Sequence, residues 1–287
     1  MKEAVCRIRF GSIRKAVNKM QGSPTAAAAG PFLEPAILPA TFNEDGSIQC
    51  RLVIFDLDGT IVDSGPGIKN SISKAIGKMG LPAKSEDELN SFIGPPLRVS
   101  FQKEFGLTTD KAEEVLHCYR MFYYQQGIYE AMVYDGIPEL LRELRDKGYL
   151  LAVGTSKPWV LAHRVLSYFG LRQYFDTVFG CYIDGRLDSK ALVLQALVEH
   201  YSGKKLLSAG RQRGQKDRAS SLSGSPAATG TGMKAVMIGD RFYDVVGAKT
   251  WALPTIGVTY GYGTAQELQE AGAALVVNHP KEIGARL

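Results

Sequence analysis

Cysteine and histidine are scarce in this chain, and neither occurs in a spacing that would bind a metal or form a redox pair. Cys6, Cys50, Cys118 and Cys181 lie far apart with no CxxC, and no histidine belongs to an HExxH sequence. These absences give no support to a zinc centre, a disulfide framework or a dithiol redox site. Reduced thiols in a cytoplasmic compartment are therefore the expectation.

Long apolar runs are also missing. No stretch approaches the ~18 consecutive apolar residues that a membrane-spanning helix needs, and the N-terminus has no apolar core of a secretory signal. With 45% apolar residues in a length of 287, the chain can nevertheless bury a core of one or two domains. We expect a soluble, intracellular protein without a membrane partner.

Positive charge is concentrated in two segments, although the formal net charge is +5. Residues 1–20 carry six Lys or Arg against Glu3, and residues 202–234 carry seven against Asp217. These segments contribute +5 and +6, which leaves −6 on the rest of the chain. A basic nucleic-acid-binding core is not indicated, and no nucleic-acid partner is expected.

Two segments have the composition of appendages. Residues 1–48 combine an Arg- and Lys-rich start with an alanine run and several prolines, which predicts a flexible extension. An organelle transit peptide is the alternative, because Glu3 is the only early acidic residue, and it would replace the cytoplasmic location by an organelle. Residues 202–234 are rich in Ser, Gly, Lys and Arg, which predicts a low-complexity basic insertion.

The hydrophobic pattern elsewhere predicts strands that alternate with helices around one helical insertion. Residues 66–130 have helical periodicity, and aromatic residues such as Tyr119 and Tyr123 are predicted to form their own core. Residues 49–65 and 131–287 alternate short apolar strands with amphipathic helices. This order predicts an α/β core, a doubly wound parallel sheet with helices on both faces, carrying a small all-helical domain.

The run Leu52-Val53-Ile54-Phe55 leads directly into Asp56-Leu57-Asp58-Gly59-Thr60. Strand alternation places the two carboxylates on one face, and Gly59 lets the backbone approach a ligand closely. Such a turn can supply a nucleophile, a proton donor and oxygen ligands for magnesium, which phosphoryl transfer requires. The pattern alone fits a strand that ends in a polar turn equally well.

Further polar groups follow later strands or begin later helices, and the carboxyl ends of parallel strands meet at one edge of a sheet. These groups are Thr155 with Ser156, Lys190, and Asp240-Arg241 with Asp244. Any one of them is weak evidence for a site. Their order and spacing together predict one site that they share with Asp56 and Asp58.

In this order the motifs resemble those of the haloacid dehalogenase superfamily of phosphatases, over about residues 50–280. The similarity is narrower to the phosphoglycolate phosphatase and 5′-nucleotidase branch. It is carried by residues 55–60, 62–64, 93–97, 154–158, 238–241 and 256–263. The resemblance implies a Rossmann-like core with a helical cap inserted after the first strand, which agrees with the helical pattern of residues 66–130.

The resemblance also implies roles for the catalytic residues. Asp56 would attack phosphorus and form an aspartyl phosphate, and Asp58 would protonate the leaving oxygen and then activate water. Thr155 would hold the transferring phosphoryl group, and Lys190 would neutralise its charge. Because ATPase-like members of the superfamily replace the residue matching Asp58, its presence points to a phosphatase or mutase.

Magnesium is the cofactor that the resemblance implies. Its expected ligands are the Asp56 and Asp240 carboxylates and the Asp58 backbone carbonyl, and Asp244 would orient waters or Lys190 from behind them.

Further residues are expected to meet the substrate. Gly59, Thr60 and Ser156 lie in the motifs that would surround the phosphate, while Lys157 and Arg98 could meet an anionic substrate under the cap. For Lys157 and Arg98 a surface role is an equal alternative.

These observations predict a magnesium-dependent phosphomonoester hydrolase whose partner is a small phosphorylated metabolite, phosphoglycolate or a nucleoside monophosphate. A sugar-phosphate mutase of the same superfamily and a catalytically silent binding or regulatory protein on this fold are the alternatives. Monomer and dimer both remain open.

Deletion of residues 204–232 should leave kcat nearly unchanged. A loop that joins a helix end to a strand start emerges at the sheet edge opposite the active site. Turnover of a phosphomonoester by the folded deletion variant and by the full chain measures this, and a large loss of kcat would contradict the placement.

Overall fold

The computed structural model describes residues 37–95, 97–183, 186–187, 189–201 and 233–287. The strands are β1 (Ile37–Pro39), β2 (Thr41–Phe42), β3 (Ile48–Gln49), β4 (Leu52–Phe55), β5 (Val62–Asp63), β6 (Met132–Val133), β7 (Leu150–Pro158), β8 (Thr177–Cys181), β9 (Met233–Gly239), β10 (Thr255–Val258) and β11 (Leu275–Val277). The α-helices are α1 (Gly65–Lys78), α2 (Glu86–Asn90), α3 (Leu97–Phe105), α4 (Thr109–Gln125), α5 (Ile137–Asp146), α6 (Trp159–Tyr168), α7 (Lys190–Tyr201), α8 (Phe242–Lys249), α9 (Ala265–Ala271) and α10 (Pro280–Gly284). Short 3-10 helices cover Gly127–Tyr129 and Arg172–Tyr174.

The main sheet is parallel and has the strand order β11-β10-β9-β4-β7-β8, with β1 added beside β9. All four residues of β4 have an exposed fraction of 0%. A strand covered on both faces needs a continuous apolar run, which explains why Leu52–Phe55 contains no polar residue.

Successive residues of β4 belong to two separate hydrophobic clusters. Val53 and Phe55 pack in the cluster that includes α5 and α6, whereas Leu52 and Ile54 pack in the cluster that includes α7 and α8. Helices therefore cover both faces of the sheet. The prediction of a doubly wound, Rossmann-like α/β core is confirmed.

Four helices, α1 to α4, lie between β5 and β6 along the chain. Helix α4 packs against α1 and α3 around buried residues such as Ile72, Phe101 and Val115. Strands β5 and β6 form an antiparallel two-stranded ribbon in which Val62 lies opposite Val133. The prediction of a small helical cap is thus confirmed. Its predicted boundaries, residues 66 and 130, lie next to this ribbon and stay predictions.

The prediction of a flexible extension over residues 1–48 is wrong for its last part. Strand β1 pairs in parallel with the first residues of β9, with Ile37 opposite Met233, and Ile37 is buried among apolar residues. Strand β10 pairs with β9 from Met237 onward, so β1 completes the edge that β10 leaves open. Residues 1–36 lie outside the described part of the chain.

The basic insertion predicted for residues 202–234 is also too long at its end. Strand β9 begins at Met233, and residues 202–232 lie outside the described part of the chain. Both flanks lie at the amino-terminal ends of strands. Met233 begins β9, and the hydroxyl of Tyr201 lies 3.0 Å from that of Thr177, the first residue of β8.

Within the described ranges, no helix has the length and the apolar character that crossing a bilayer requires.

Candidate active site

The chain turns sharply after β4, and Asp56 begins the turn. The Asp56 N–H still follows the sheet and donates to the carbonyl of Ile238 at 2.9 Å. Gly59 has a φ of +86°, and a Cβ atom there would lie 2.1 Å from Oδ2 of Asp240. Glycine is thus required by the backbone conformation and by the close approach. Its N–H donates to the carbonyl of Val62 at 2.8 Å, so this N–H is bonded within the turn.

Lys190, the first residue of α7, places its ammonium among three oxygen atoms. Its Nζ lies 2.7 Å from Oδ1 of Asp56, 2.8 Å from Oδ1 of Asp244 and 2.9 Å from the carbonyl of Gly154. Burial opposes the charged form, but the carboxylates of Asp244 and Asp56 outweigh it and raise the pKa of Lys190 above its ordinary value. Lys190 is therefore a fixed positive charge against Asp56.

Asp240 follows β9 and is held by two donors. Its Oδ1 accepts the hydroxyl of Thr60 at 3.1 Å, and its Oδ2 accepts the N–H of Tyr262 at 2.8 Å. Thr60 is fully buried, and its side chain supports Asp240. A contact of Thr60 with the substrate stays a prediction. The sequence gives no signal for Tyr262 in the site, because it contacts Asp240 through its backbone N–H.

The carboxylates of Asp56, Asp240 and Asp244 lie within 4.8 Å of one another. Burial raises the pKa of Asp56 to about 6; Lys190 opposes this rise and Asp244 adds to it. Burial and the charges of Asp244 and Asp56 also raise the pKa of Asp240. Three carboxylates around one ammonium leave an excess of negative charge, which a bound cation would neutralise. These oxygen donors can hold a hard divalent metal ion.

Asp244 is committed to protein partners on both of its oxygens. Oδ1 contacts Lys190, and Oδ2 accepts the N–H of Arg241 at 3.0 Å. This arrangement suits a residue that holds Lys190 in place.

Asp58 faces a second cation, Lys157. Nζ of Lys157 lies 2.9 Å from Oδ1 and 3.0 Å from Oδ2 of Asp58, and it also donates to the hydroxyl of Tyr123 on cap helix α4. The Lys157 side chain is only 5% exposed. Lys157 therefore enters the site through Asp58. The sequence leaves a substrate contact and a surface role equally open for this residue, and its burial contradicts the surface role. The sequence predicts Tyr123 in the core of the cap, because helical periodicity does not distinguish a core position from one that faces the active site.

Thr155 and Ser156 lie within β7, the strand next to β4, and do not follow its end as the sequence predicts. Phe55 lies opposite Val153, so this register brings Thr155 to the edge where Asp56 emerges. Thr155 is 1% exposed, and its hydroxyl accepts the N–H of Lys157 at 3.2 Å. Ser156 is exposed, and its carbonyl accepts the thiol of Cys181 at 3.0 Å.

Two arginines near the cap have protein partners. Arg98 of α3, for which the sequence leaves a substrate contact and a surface role equally open, is 48% exposed and pairs with Glu113 of α4. The structure does not bring its guanidinium to the acidic cluster. Arg241 pairs with Glu267 at 2.9 Å and donates to the carbonyl of Ile93 in the cap at 2.6 Å. Its side chain joins the core to the cap.

The chain matches a family model described as haloacid dehalogenase-like hydrolase over residues 53–183 and a HAD-hydrolase-like model over residues 219–283. It is 32% identical over 225 residues to a 5′-nucleotidase of Pseudomonas aeruginosa, a match that spans 78% of this chain and 90% of that protein. Phosphoglycolate phosphatases are among its further relatives.

The chain is also 34% identical over 229 residues to the tyrosine-protein kinase PtkA of Mycobacterium tuberculosis, covering 79% of this chain and 68% of that protein. Among solved structures, a predicted phosphatase from Clostridium acetobutylicum is 35% identical with a TM-score of 0.69, covering 83% of this chain and 97% of that one.

The chain belongs to the haloacid dehalogenase-like hydrolase family, and within that family it is an enzyme of the phosphatase class. The resemblance predicted from the motifs is confirmed.

Replacement of Gly261 by Ala should lower turnover by about 10²-fold, because small displacements of reacting groups cost this much. A Cβ atom at Gly261 would lie 2.2 Å from the carbonyl of Gly59 and 2.5 Å from Cβ of Asp240. Gly77→Ala is the matched control, because a Cβ atom at Gly77 in α1 meets no atom within 4 Å. The kcat of both variants measures the effect, and equal values would contradict it.

Proposed function

We propose that the protein is a magnesium-dependent hydrolase of a small phosphomonoester that works through an aspartyl phosphate on Asp56. One observation carries the proposal. Two aspartates, two residues apart, face different cations: Asp56 contacts Lys190 at 2.7 Å and Asp58 contacts Lys157 at 2.9 Å. Different charged neighbours allow two carboxylates to play different roles, here nucleophile and general acid and base.

In the first step, a carboxylate oxygen of Asp56 attacks phosphorus as the ester oxygen leaves. Lys190 holds the attacking carboxylate and reduces its repulsion from a phosphate dianion. Asp58 gives its proton to the departing oxygen, so the leaving group departs as an alcohol. The phosphoryl group is then bonded to Asp56.

In the second step, Asp58 takes a proton from water, and the water oxygen attacks the phosphoryl group on Asp56. The bond between Asp56 and phosphorus breaks, and inorganic phosphate leaves. Asp58 has then regained its proton, and the Asp56 carboxylate is restored. The hydroxyl of Thr155 and the backbone near Ser156 would hold the phosphoryl oxygens during both steps.

The Asp56 and Asp240 carboxylates, with the Asp58 backbone carbonyl, would hold Mg²⁺, which prefers oxygen ligands. When bound, Mg²⁺ supplies charge neutralisation for the phosphoryl oxygens. The excess negative charge of the acidic cluster supports a cation at this position. Asp244 keeps Lys190 directed at Asp56.

The cap would enclose the substrate and select its leaving group, then open to release products. The names of the relatives support phosphoglycolate or a nucleoside monophosphate as the type of substrate. A sugar-phosphate mutase would use the same site, but it returns the phosphoryl group to a sugar. Release of inorganic phosphate without a bisphosphate activator separates the two.

The similarity to PtkA favours a second candidate, transfer of a phosphoryl group to a protein tyrosine. Hydrolysis needs a carboxylate that can take a proton from water, and Asp58 satisfies that need. The two functions are separated by measuring phosphate release from small esters against label transfer from ATP to tyrosine. Transfer without hydrolysis would replace the proposal.

Replacement of Asp56 by Asn should lower phosphate release at least ~10³-fold, because the amide cannot act as the nucleophile. Asp146→Asn on the exposed side of α5 removes the same charge far from the reaction and should retain wild-type kcat. Circular dichroism checks that both variants are folded. A fully active Asp56→Asn variant would leave only a binding function or a different nucleophile.

Removal of divalent cations with EDTA should abolish phosphate release, and added Mg²⁺ should restore it. Mg²⁺ should also raise the Tm of the wild-type chain, because a ligand that binds only the folded state stabilises it. The Asp240→Asn variant should lose this rise in Tm. Full turnover after exhaustive chelation would contradict the metal requirement.

A further inference from the structure

Lys157 lies between Asp58 of the core and Tyr123 of the cap, and it contacts both. Its Nζ contacts the two carboxylate oxygens of Asp58 at 2.9 and 3.0 Å and donates to the hydroxyl of Tyr123. The same ammonium lies 4.8 Å from the centroid of the Tyr123 ring. With 5% of the Lys157 side chain exposed, water has little room to replace these partners.

This contact defines the orientation of the Asp58 carboxylate. The Asp58 side chain is 21% exposed, and it lies in the turn after β4. An ammonium close to both oxygens restricts the rotation of the carboxylate plane. A group that first donates and then accepts a proton at one point needs such restriction, because proton transfer depends strongly on geometry.

The position of Tyr123 depends in turn on how the cap meets the core. Arg164 of α6 donates to the carbonyl of Tyr124 at 3.1 Å and to the hydroxyl of Tyr129 at 2.7 Å. These contacts hold the backbone beside Tyr123. Within the cap, the ring of Tyr119 stacks on that of Tyr123 with centroids 5.3 Å apart. The Tyr123 hydroxyl therefore reaches Lys157 when the cap is docked on the core.

We propose that Lys157 and Tyr123 are positioning residues that orient Asp58 when the cap is closed, so that proton transfer becomes efficient only in the closed enzyme. This inference rests on the proposed function. When the cap moves away, Lys157 loses the Tyr123 hydroxyl and the ring that covers it, and the Asp58 carboxylate loses its fixed direction.

The first test measures kcat and KM of Lys157→Met and Tyr123→Phe. Lys157→Met keeps the apolar stem, and Tyr123→Phe keeps the ring and its stacking. With glycerol 2-phosphate, whose alkoxide must be protonated to leave, kcat should fall about 10- to 100-fold with KM nearly unchanged. Tyr168→Phe, which removes a hydroxyl from a tyrosine that is 58% exposed on α6, is the control and should retain wild-type kcat.

The second test follows p-nitrophenyl phosphate by rapid mixing. Nitrophenolate leaves without a proton as the ester P–O bond breaks and the bond from phosphorus to Asp56 forms. Hydrolysis of the aspartyl phosphate still needs Asp58 to take a proton from water. Lys157→Met should therefore release a burst of nitrophenolate equal to the enzyme concentration and then turn over slowly, as Asp58→Asn should. A purely structural role would not produce a burst.

Three outcomes would overturn the inference. A raised KM with unchanged kcat means that Lys157 binds the substrate. Equal losses on both substrates without a burst, together with a lower Tm, mean that the pair only supports the fold. If Asp56→Asn still turns over, the proposed function fails and the inference fails with it, a result that the Lys157 and Tyr123 variants alone cannot produce.

Discussion

The buried ammonium of Lys190 is the interaction on which the rest of the active site depends. It joins the turn after β4 to helix α8 through Asp56 and Asp244, and it also contacts the carbonyl of Gly154 on β7. Removal of one partner of such a group leaves an uncompensated buried charge, which costs about 3–5 kcal/mol. Helix α8 packs directly on the stem of this lysine, since a Cβ atom at Gly247 would lie 2.7 Å from its Cγ. A change in the packing of α7 against α8 would therefore also change the geometry of the attacking carboxylate.

The site contains two ion pairs with different surroundings. The pair of Lys190 and Asp56 is enclosed by the sheet and by α7 and α8, whereas Asp58 and Lys157 lie where the core meets the cap. The contacts of the enclosed pair are made within the core, which suits a nucleophile that must be aligned with phosphorus. The contacts of the second pair depend on the position of the cap, which suits a proton transfer that takes place only after the substrate has bound.

Burial on both faces of the sheet made much of the fold predictable, because it demands continuous apolar runs such as Leu52–Phe55. Strand β1 was not predictable in this way, since three residues that include Pro39 give little local pattern, and their partner, the start of β9, lies far along the chain. The residue types of the site were predictable from chemistry. The partners of Thr60 and Lys157 were not, because side-chain contacts between distant segments leave no local pattern.

The ribbon of β5 and β6 brings both ends of the helical insertion to one place, with Val62 opposite Val133 and Asp63 opposite Met132. A segment whose ends already meet can be lengthened, shortened or exchanged at a small cost in chain entropy. Recombination at this single junction would replace the whole insertion while the sheet and its acidic residues stay untouched. The ribbon thus makes the helical insertion an exchangeable cassette, through which related genes could acquire new substrates without rebuilding the chemistry.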